Sequence, residues 1–209
     1  MRAWIFTGGD VFPSLIQHRP EPDDLCIAAD AGWNTACAMG ANVTLAVGDY
    51  DSLGHAPTLT HGGRVITVPT EKDMSDTQLA VDTALGQGAD SLILIGGLGG
   101  RLDHTLANLY ILEQLADRGI PCLIETGKNR VRLLRNNSLL LARSDYRYLS
   151  LVCLGEKARD VSVEGVKYPL RRATLRRTDP SLAISNEITG NVALISVRRG
   201  DLFVIESRD

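Results

Sequence analysis

The sequence SLILIGGLGGRLDH, residues 91–104, decides the fold class of this chain. Its apolar run 92–95 is typical of a buried strand, and the glycines after it lead into a helical pattern over residues 102–116. Asp103 is placed to open that helix as a cap or first-turn acid. One apolar stripe is predicted along the helix, formed by Leu102, Leu106, Leu109, Leu112 and Ala116. A strand, a glycine-rich turn and an amphipathic helix in this order predict a unit of an α/β fold.

The residues on either side of this stretch follow two different patterns. Apolar runs typical of buried strands occupy residues 3–6, 25–29, 43–47 and 65–68, and a second helix is predicted over residues 77–85. This alternation indicates a mostly parallel α/β sheet. After Gly127 the helical period disappears, and short strand-like segments follow at residues 131–134, 146–154, 160–163, 192–197 and 202–205. Gly, Asn, Asp and Pro separate these segments, which is typical of a small all-β sandwich or barrel.

Charge divides the chain at the same place. The 209 residues carry a net charge of −3, but residues 1–127 hold 6 Lys and Arg against 16 Asp and Glu, a net of −10. Residues 128–209 hold 16 against 9, a net of +7. We therefore predict two domains: an N-terminal, mostly parallel α/β sheet domain at 1–127, followed by a C-terminal all-β sandwich domain at 128–209.

Composition excludes several classes of protein. With 44% hydrophobic and 22% charged residues, the chain can bury a core and is neither disordered nor fibrous. No apolar run approaches the roughly 20 residues of a membrane-spanning helix, so we predict a cytoplasmic protein without a membrane partner. The four cysteines, at positions 26, 37, 122 and 153, form no C-x-x-C pair, and we predict buried thiols rather than disulfides or a zinc site.

Aspartates follow the predicted strands again and again. They are Asp30, Asp49, Asp51, Asp73 and Asp76. In an open α/β sheet, ligands bind outside the carboxyl ends of the strands, so we expect these side chains to converge there. Carboxylates about 4 Å apart repel one another by roughly 4 kcal/mol at an effective dielectric constant of 20, unless a cation lies between them. An all-oxygen site favours Mg²⁺, Mn²⁺ or Ca²⁺, although a single such Asp is as often plain turn or cap chemistry.

The glycines after the fifth predicted strand indicate an anion site. Gly96, Gly97, Gly99 and Gly100 let backbone amides approach a phosphate at a helix N-terminus, and Arg101 adds a fork of donors. The spacing matches neither G-x-G-x-x-G nor G-x-x-x-x-G-K-[ST], which argues against a classical dehydrogenase and a P-loop enzyme. On the helix that follows, His104 and Asn108 lie one turn apart, where both can face the cleft.

The strings GDYDSL, KDMSD and GGLGGRLDHTLANL, in this order and after strands, resemble the thiamine pyrophosphokinase (thiamine diphosphokinase) family. GVKYPL and SNEI resemble its second-domain signatures. The resemblance implies transfer of a diphosphate group from ATP to the hydroxyl of thiamine, which yields thiamine diphosphate and AMP, with Mg²⁺ as cofactor. It further implies an ATP- and Mg-binding catalytic domain at 1–127 and a thiamine-binding and dimerisation domain at 128–209. The implied assembly is a homodimer with active sites at the subunit interface.

The resemblance also implies residue roles. The carboxylates that bind Mg²⁺ are expected to be Asp30, Asp49, Asp51 and Asp76. Catalysis is assigned to Asp49, Asp51, Asp73, Asp76 and Arg101. The nucleotide and diphosphate path is assigned to Asp73, Ser75, Arg101, Asp103 and His104, to which the anion site predicted above adds Gly99 and Gly100. The thiamine contacts are assigned to Ser185 and Asn186, to which we add Asn108 as a substrate contact.

The chain departs from the family's pattern at four positions. Where the family commonly has A-D-G-G, this chain has Ala31 in place of the first glycine, and Trp33 brings a large ring close by. Ser75 replaces a frequent threonine and keeps its hydroxyl, while Ile188 replaces an aromatic residue. These departures concern the packing of the ligands more than the metal chemistry.

Three other readings remain open at this point. A related diphosphokinase would use the same site with a hydroxymethyl pterin as acceptor. A metal-dependent nucleotide phosphohydrolase would share the carboxylates, although nothing marks a nucleophile. A nucleic-acid-binding module would use the arginine-rich second half, but the acidic first half repels a polyanion, so we predict ATP and thiamine as partners and no nucleic acid.

Overall fold

The computed structural model describes residues 1–51, 54–59, 63–69 and 74–209. The chain forms two compact units, Met1–Gly127 and Lys128–Asp209. Among the helices of the described residues, none is both long enough and apolar enough to cross a lipid bilayer.

The first unit is an α/β sheet with parallel strand pairs, as predicted. Its strands are β1 (Arg2–Phe6), β2 (Leu25–Ala29), β3 (Leu45–Gly48), β4 (Arg64–Thr67), β5 (Ser91–Ile95) and β6 (Cys122–Glu125). Its helices are α1 (Gly32–Ala38), α2 (Asp76–Gly86) and α3 (Leu102–Asp117), with a short 3-10 helix at Pro13–Leu15. Within this unit the strand order is β4-β3-β2-β1-β5-β6. Each neighbouring pair is parallel.

Four consecutive residues of the central strand β1 are buried. Since alternate side chains of a strand point to opposite sides of the sheet, both faces of β1 are covered. Trp4 and Phe6 pack in one apolar cluster with Ala36 of α1. Helix α1 contacts β1 and β2, α2 contacts β1, β2 and β3, and α3 contacts β6. Burial on both faces explains why the strands appear in the sequence as continuous apolar runs.

Two predictions about the first unit are wrong in detail. Strand β4 was expected to be buried, but it lies at the edge of the sheet order and Val65 is 39% exposed. The predicted stripe on α3 is also displaced, since Leu102 and Leu106 are exposed. The buried residues of α3 are Asn108, Ile111, Leu112 and Leu115. Leucine spacing alone misplaced this face because Asn108, a polar residue, belongs to it.

The second unit is a β-sandwich, as predicted. Its strands are β7 (Asn129–Arg135), β8 (Ser138–Ala142), β9 (Tyr148–Cys153), β10 (Lys157–Glu164), β11 (Leu170–Arg176), β12 (Val192–Arg199) and β13 (Asp201–Ser207). A short 3-10 helix covers Pro180–Ala183. Strand β13 pairs antiparallel with β7 and β9, and the other four strands form an antiparallel sheet in the order β11-β10-β12-β8.

One apolar cluster joins the two sheets of the second unit. Leu134, Leu151 and Val204 from the first sheet belong to the same cluster as Val161 and Ile195 from the second. Strand β8 was not predicted, whereas the alternating pattern around Arg171, Arg172 and Arg176 indicates the strand found at β11. The sequence SLLLA of β8 lacks alternation, and LRRATLR of β11 is rich in arginine.

The cysteines are free thiols, but one differs from the expectation. Cys26 and Cys153 are buried and Cys122 is half-buried, whereas Cys37 on α1 is exposed. The prediction of buried thiols is therefore wrong for Cys37, which lies on the outer side of a short surface helix. Burial raises the pKa of the Cys26 thiol to about 11, so this sulfur is a packing group rather than a nucleophile.

Candidate active site

A cleft of about 280 Å³ opens in the first unit, beyond the carboxyl ends of β1, β2 and β5. Its lining comes from the segments that follow these strands and from the start of α2 and α3. The lining residues are Thr7, Gly8, Gly9, Ala29, Asp30, Ser75, Asp76, Thr77, Gly97, Gly99, Gly100, Arg101, His104 and Asn108. The sequence-based position of the site, at the carboxyl ends of the strands, matches this location.

Two glycine-containing loops form one wall of the cleft. The amide of Gly97 donates to the Gly8 carbonyl at 2.6 Å, and the amide of Asp10 donates to the Leu98 carbonyl at 2.8 Å. Gly99 has a φ of +87°, and a Cβ at this position would overlap the Asp10 carboxylate. The loops approach so closely only because these positions lack side chains.

Sequence reasoning missed the first of these loops. Thr7, Gly8 and Gly9 line the cleft, yet none was singled out as a site residue. The signal was present: the string TGGD directly follows the first apolar run, in the same way that the glycines at 96–100 follow the fifth.

The N-terminus of α2, with Asp76, and the turn at Asp30 form a second part of the lining, here called the acidic wall. Ser75 is the N-cap of this helix, and its Oγ accepts a hydrogen bond from the Gln78 amide at 3.2 Å. Asp76 follows in the first turn and faces the cleft. The hydroxyl of Thr77 lies 2.7 Å from the hydroxyl of Thr7, and both residues are buried. Asp73, a predicted catalytic residue, lies outside the described residues.

Asp30 enters the cleft on a strained backbone. It directly follows β2 and has a φ of +43°, in the left-handed region. Its amide donates to the Val47 carbonyl at 2.9 Å, which holds the end of β2 against β3. A Cβ on Gly48 would lie 3.2 Å from the Cα of Asp30, so the neighbouring strand leaves space for this turn. An Asp in this conformation costs about 1 kcal/mol or more, which is typical of functional positions.

Asp49 and Asp51 do not line the cleft. The Asp51 amide donates to Oδ1 of Asp49 at 3.2 Å, and the intervening Tyr50 has a φ of +59°. The left-handed turn at Tyr50 buries its ring and leaves Asp51 exposed. Of the four predicted metal carboxylates, the structure therefore brings Asp30 and Asp76 together in the cleft.

The charges of these two carboxylates also act on Tyr50. Burial raises the pKa of the Tyr50 phenol to about 12, and the negative charges of Asp76 and Asp30 contribute in the same direction. The phenol oxygen lies 3.5 Å from the carbonyl oxygen of Ile66. Tyr50 is 4% exposed and does not line the cleft.

The donor set of this wall suits a hard divalent cation. Asp30 and Asp76 offer carboxylate oxygens, the ligands that Mg²⁺ prefers. In the part of the chain that the structure describes, no three His, Cys, Asp or Glu side chains come close enough together to form a metal-binding group. Two carboxylates with room for water and phosphate oxygens are sufficient for Mg²⁺, which keeps several non-protein ligands in nucleotide sites.

Arg101 stands at the mouth of the cleft beside α3. Its Nη2 lies 2.6 Å from Oδ2 of Asp103, and its Nε donates to Oδ1 of the same residue at 3.2 Å. This guanidinium lowers the pKa of Asp103 below its ordinary value. The two side chains are 73% and 63% exposed, so water screens the pair and a phosphate can reach Arg101. Asp103 itself does not line the cleft, whereas His104 does.

The side chain of Asn108 makes a hydrogen bond within the protein. It is buried on α3, and its Nδ2 donates to the Gly97 carbonyl at 2.9 Å. Thr105 acts in a similar way, since its hydroxyl donates to the Gly99 carbonyl at 3.2 Å. These bonds connect α3 to the glycine loop, so the predicted substrate contact Asn108 has a clear role in shaping the cleft wall.

Ser185 and Asn186 lie in the second unit. Ser185 is exposed, has a φ of +55° and donates from its amide to Oγ of Ser150 at 2.9 Å. Asn186 is buried, and its Oδ1 accepts from the amides of Tyr168 and Glu187 at 3.0 and 2.9 Å. Its Nδ2 donates to the Tyr168 carbonyl at 2.8 Å. The two segments GVKY and SNEI therefore lie side by side.

The positions that depart from the family's pattern are accommodated without strain on the cleft. A Cβ on Gly32 would overlap the Phe6 carbonyl, so this position requires glycine, whereas a Cβ added to Gly8 would lie 3.8 Å from the Cβ of Ala31, an ordinary contact. Trp33 is half-buried against the apolar cluster of Trp4 and Phe6. Ile188 packs on the core of the sandwich.

Comparison with protein families decides the affiliation. The model for the thiamin pyrophosphokinase catalytic domain matches residues 16–124, and the model for the vitamin B1 binding domain of thiamin pyrophosphokinase matches residues 137–202. The chain belongs to the thiamin pyrophosphokinase family. A thiamin pyrophosphokinase transfers a diphosphate group from ATP to thiamine, and this is the activity of the chain.

Individual relatives agree with this affiliation over the full length. The chain is 28% identical to thiamine pyrophosphokinase of Bacillus subtilis, with 98% of each chain covered. A crystal structure of thiamine pyrophosphokinase from Bacillus subtilis superposes with a TM-score of 0.86 at 27% identity, covering 100% of both chains. Thiamin pyrophosphokinase from Geobacillus thermodenitrificans gives a TM-score of 0.83 at 28% identity, covering 100% of this chain and 98% of that one. These matches do not support the pterin-acceptor or hydrolase alternatives.

Proposed function

We propose that the cleft of the first unit binds ATP together with Mg²⁺ and is the site of diphosphate transfer. One observation carries the proposal: the cleft combines two carboxylates, Asp30 and Asp76, with a glycine loop and Arg101. Carboxylates on one wall and anion-binding groups on the other suit a phosphate chain that carries a divalent cation.

The metal ligands of this proposal come from the acidic wall. Asp30 and Asp76 would hold Mg²⁺, and Asp49 and Asp51 would contribute at its edge. Bound there, Mg²⁺ would supply neutralisation of the negative charge on the phosphate oxygens. Asp73 is part of the same proposal on sequence grounds alone.

Positioning and charge stabilisation account for the chemistry that the chain itself supplies. The thiamine hydroxyl oxygen forms a bond to the β-phosphorus of ATP, the bond from this phosphorus to the α,β-bridging oxygen breaks, and AMP leaves while the hydroxyl proton is released. Arg101 and the amides of Gly99 and Gly100 would stabilise the transferred group, and Ser75 and His104 would line its path. We assign no general base, because a loose transition state needs little early deprotonation.

The second unit would bind thiamine through the segment that contains Ser185 and Asn186. Support comes from the match of residues 137–202 to a vitamin B1 binding domain. A homodimer and a cytoplasmic location complete the proposal, and both rest on the sequence. Sedimentation equilibrium of the purified chain tests the dimer, and fractionation of the source cells tests the location.

The deciding experiment measures AMP formation from ATP and Mg²⁺ with and without thiamine, with mass detection of thiamine diphosphate. We expect thiamine-dependent AMP and an equal amount of thiamine diphosphate, and loss of both when the metal is chelated. Phosphate release without thiamine would favour a hydrolase instead. AMP formation that a hydroxymethyl pterin supports and thiamine does not would change the acceptor.

A further inference from the structure

Two buried threonine hydroxyls connect the two walls of the cleft. Thr7 directly follows β1, and Thr77 lies in the first turn of α2. Their Oγ1 atoms are 2.7 Å apart, and each residue is 6% exposed. A hydrogen bond at this distance between two buried hydroxyls is well formed, and either oxygen can donate.

Each threonine belongs to a different functional part of the cleft. On one side, Thr77 is the neighbour of Asp76, whose carboxylate faces the cleft. On the other side, the Thr7 amide donates to the Ile95 carbonyl at 2.9 Å, and the Thr7 methyl faces Gly97. The hydroxyl pair therefore links the acidic wall to the wall that carries the glycine loop.

We propose that Thr7 and Thr77 are positioning residues that set the distance between the acidic wall and the glycine loop. The inference rests on the proposed function, because one phosphate chain with its cation must contact both walls at once. Neither threonine needs to touch the nucleotide for this role. Their hydroxyl pair fixes the first turn of α2, and with it the Asp76 carboxylate, relative to the loop at Gly97.

A pair of hydroxyls can fix the orientation of the helix because a hydrogen bond is directional. The hydrophobic effect is non-directional and sets no preferred angle, whereas a hydrogen bond weakens steeply when its geometry changes. The cap at Ser75 accepts its hydrogen bond from a backbone amide of the same helix. The bond between Thr77 and Thr7 instead joins the first turn of α2 to the segment that follows β1.

The test measures binding of Mg²⁺ with α,β-methylene-ATP by calorimetry, without thiamine. This analogue carries a methylene group in place of the bridging oxygen that transfer would cleave, so binding is measured without reaction. The variants are Thr7→Val, Thr77→Val, the double variant and Thr7→Ser. Valine keeps the shape of threonine and removes the hydroxyl, and serine keeps the hydroxyl. Thr83→Val is the matched control, because its hydroxyl also lies on α2 but donates to the Leu79 carbonyl at 2.7 Å within the helix.

We expect each valine variant to raise the Kd of the analogue with Mg²⁺ by about tenfold, the effect typical of groups that orient metal ligands. The double variant should lose no more than either single one, because both remove the same bond. Thr7→Ser and Thr83→Val should bind within twofold of the parent chain, and the KM for thiamine should not change.

A Kd within twofold of the parent in a folded Thr7→Val or Thr77→Val variant would overturn the inference, as would additive losses in the double variant. If Thr7→Val does not fold, Thr77→Val at the helix terminus decides the question with the same readout. Failure of the parent chain itself to bind the analogue would contradict the proposed function, which separates the two failures.

Discussion

The carboxamide of Asn186 makes two hydrogen bonds to the main chain of Tyr168, one through each end of the group. Oδ1 accepts from the Tyr168 amide at 3.0 Å, and Nδ2 donates to the Tyr168 carbonyl at 2.8 Å. The main chain of Asn186 also pairs with Leu149 in both directions. Asn186 thus holds two segments of the second unit together, and its effect on thiamine would pass through the segment around Tyr168.

Replacing Asn186 by aspartate should weaken this connection selectively. Asn186→Asp keeps the acceptor and removes the donor, so the part-buried Tyr168 carbonyl faces a carboxylate oxygen. We expect a loss of about 1–3 kcal/mol in the free energy of unfolding and a KM for thiamine that rises about tenfold, with the KM for ATP unchanged. Urea unfolding and steady-state kinetics with each substrate measure these effects. Asn137→Asp is the control, because Asn137 is exposed and only its acceptor is used. Equal changes in both KM values would contradict the prediction.

The carboxylates proposed to hold Mg²⁺, or to contribute at the edge of its site, should be required for turnover and not for folding. We expect Asp30→Asn, Asp76→Asn, Asp49→Ala and Asp51→Ala each to lower kcat by about a hundredfold or more, because each removes charge that holds the cation. Thermal unfolding should show little loss of stability, since mutual repulsion of the negative charges is relieved and the hydrogen bond that Asp49 accepts from the Asp51 amide is exposed to solvent. Asp82→Asn, on α2 beside Gln78, is the control and should stay active. Variants that fail to fold would support a purely structural role for these turns.

Two neighbouring glycines offer a matched pair of substitutions. Gly99 and Gly100 both have positive φ angles, +87° and +64°, so alanine is strained at either position. Only at Gly99 would the new Cβ also overlap the Asp10 carboxylate, whereas nothing lies within 4 Å at Gly100. We expect Gly100→Ala to cost about 1 kcal/mol of stability and Gly99→Ala to cost more and to raise the KM for ATP about tenfold. Indistinguishable kinetics for the two variants would show that the contact of Gly99 with Asp10 does not shape the site.

The Tyr50 phenol should make part of the stability dependent on alkaline pH. Its pKa is raised from 10.0 to about 12, so the folded state keeps the phenol proton to higher pH than the unfolded chain does. The stabilisation is complete below pH 10 and is lost as the pH rises through 12. We expect Tyr50→Phe to flatten the fall in the free energy of unfolding across this range. Tyr110→Phe, at a residue 54% exposed, should leave the fall unchanged. Urea unfolding at several pH values measures both.

Much of the fold was accessible from local patterns, and the exceptions share a physical cause. The strand at 92–95 and the helix after it were found because burial on two faces leaves an uninterrupted apolar run. Strand β8 was missed because the apolar residues of its sequence SLLLA do not alternate with polar ones, although one of them, Leu141, is buried. The buried face of α3 was misplaced because Asn108 is satisfied by the Gly97 carbonyl, a contact that no local pattern reveals.

Local sequence patterns also predict only part of the candidate site. Asp30 and Asp76 could be named because a carboxylate after a strand is visible in the sequence. Asp49 and Asp51 share that signal, but the left-handed turn at Tyr50 keeps them out of the cleft lining. Thr7 and Thr77 were not predicted, because they are 70 residues apart and only the tertiary structure brings their hydroxyls together.

The left-handed backbone of Asp30 limits how far this protein can be made heat-resistant without losing its chemistry. Glycine relieves the strain at such a position, with a gain of about 1 kcal/mol. A screen of random variants for thermal survival would therefore enrich Asp30→Gly, the same change that deletes a cleft carboxylate. Selection for survival at high temperature would favour glycine at this position, whereas selection for turnover would favour aspartate.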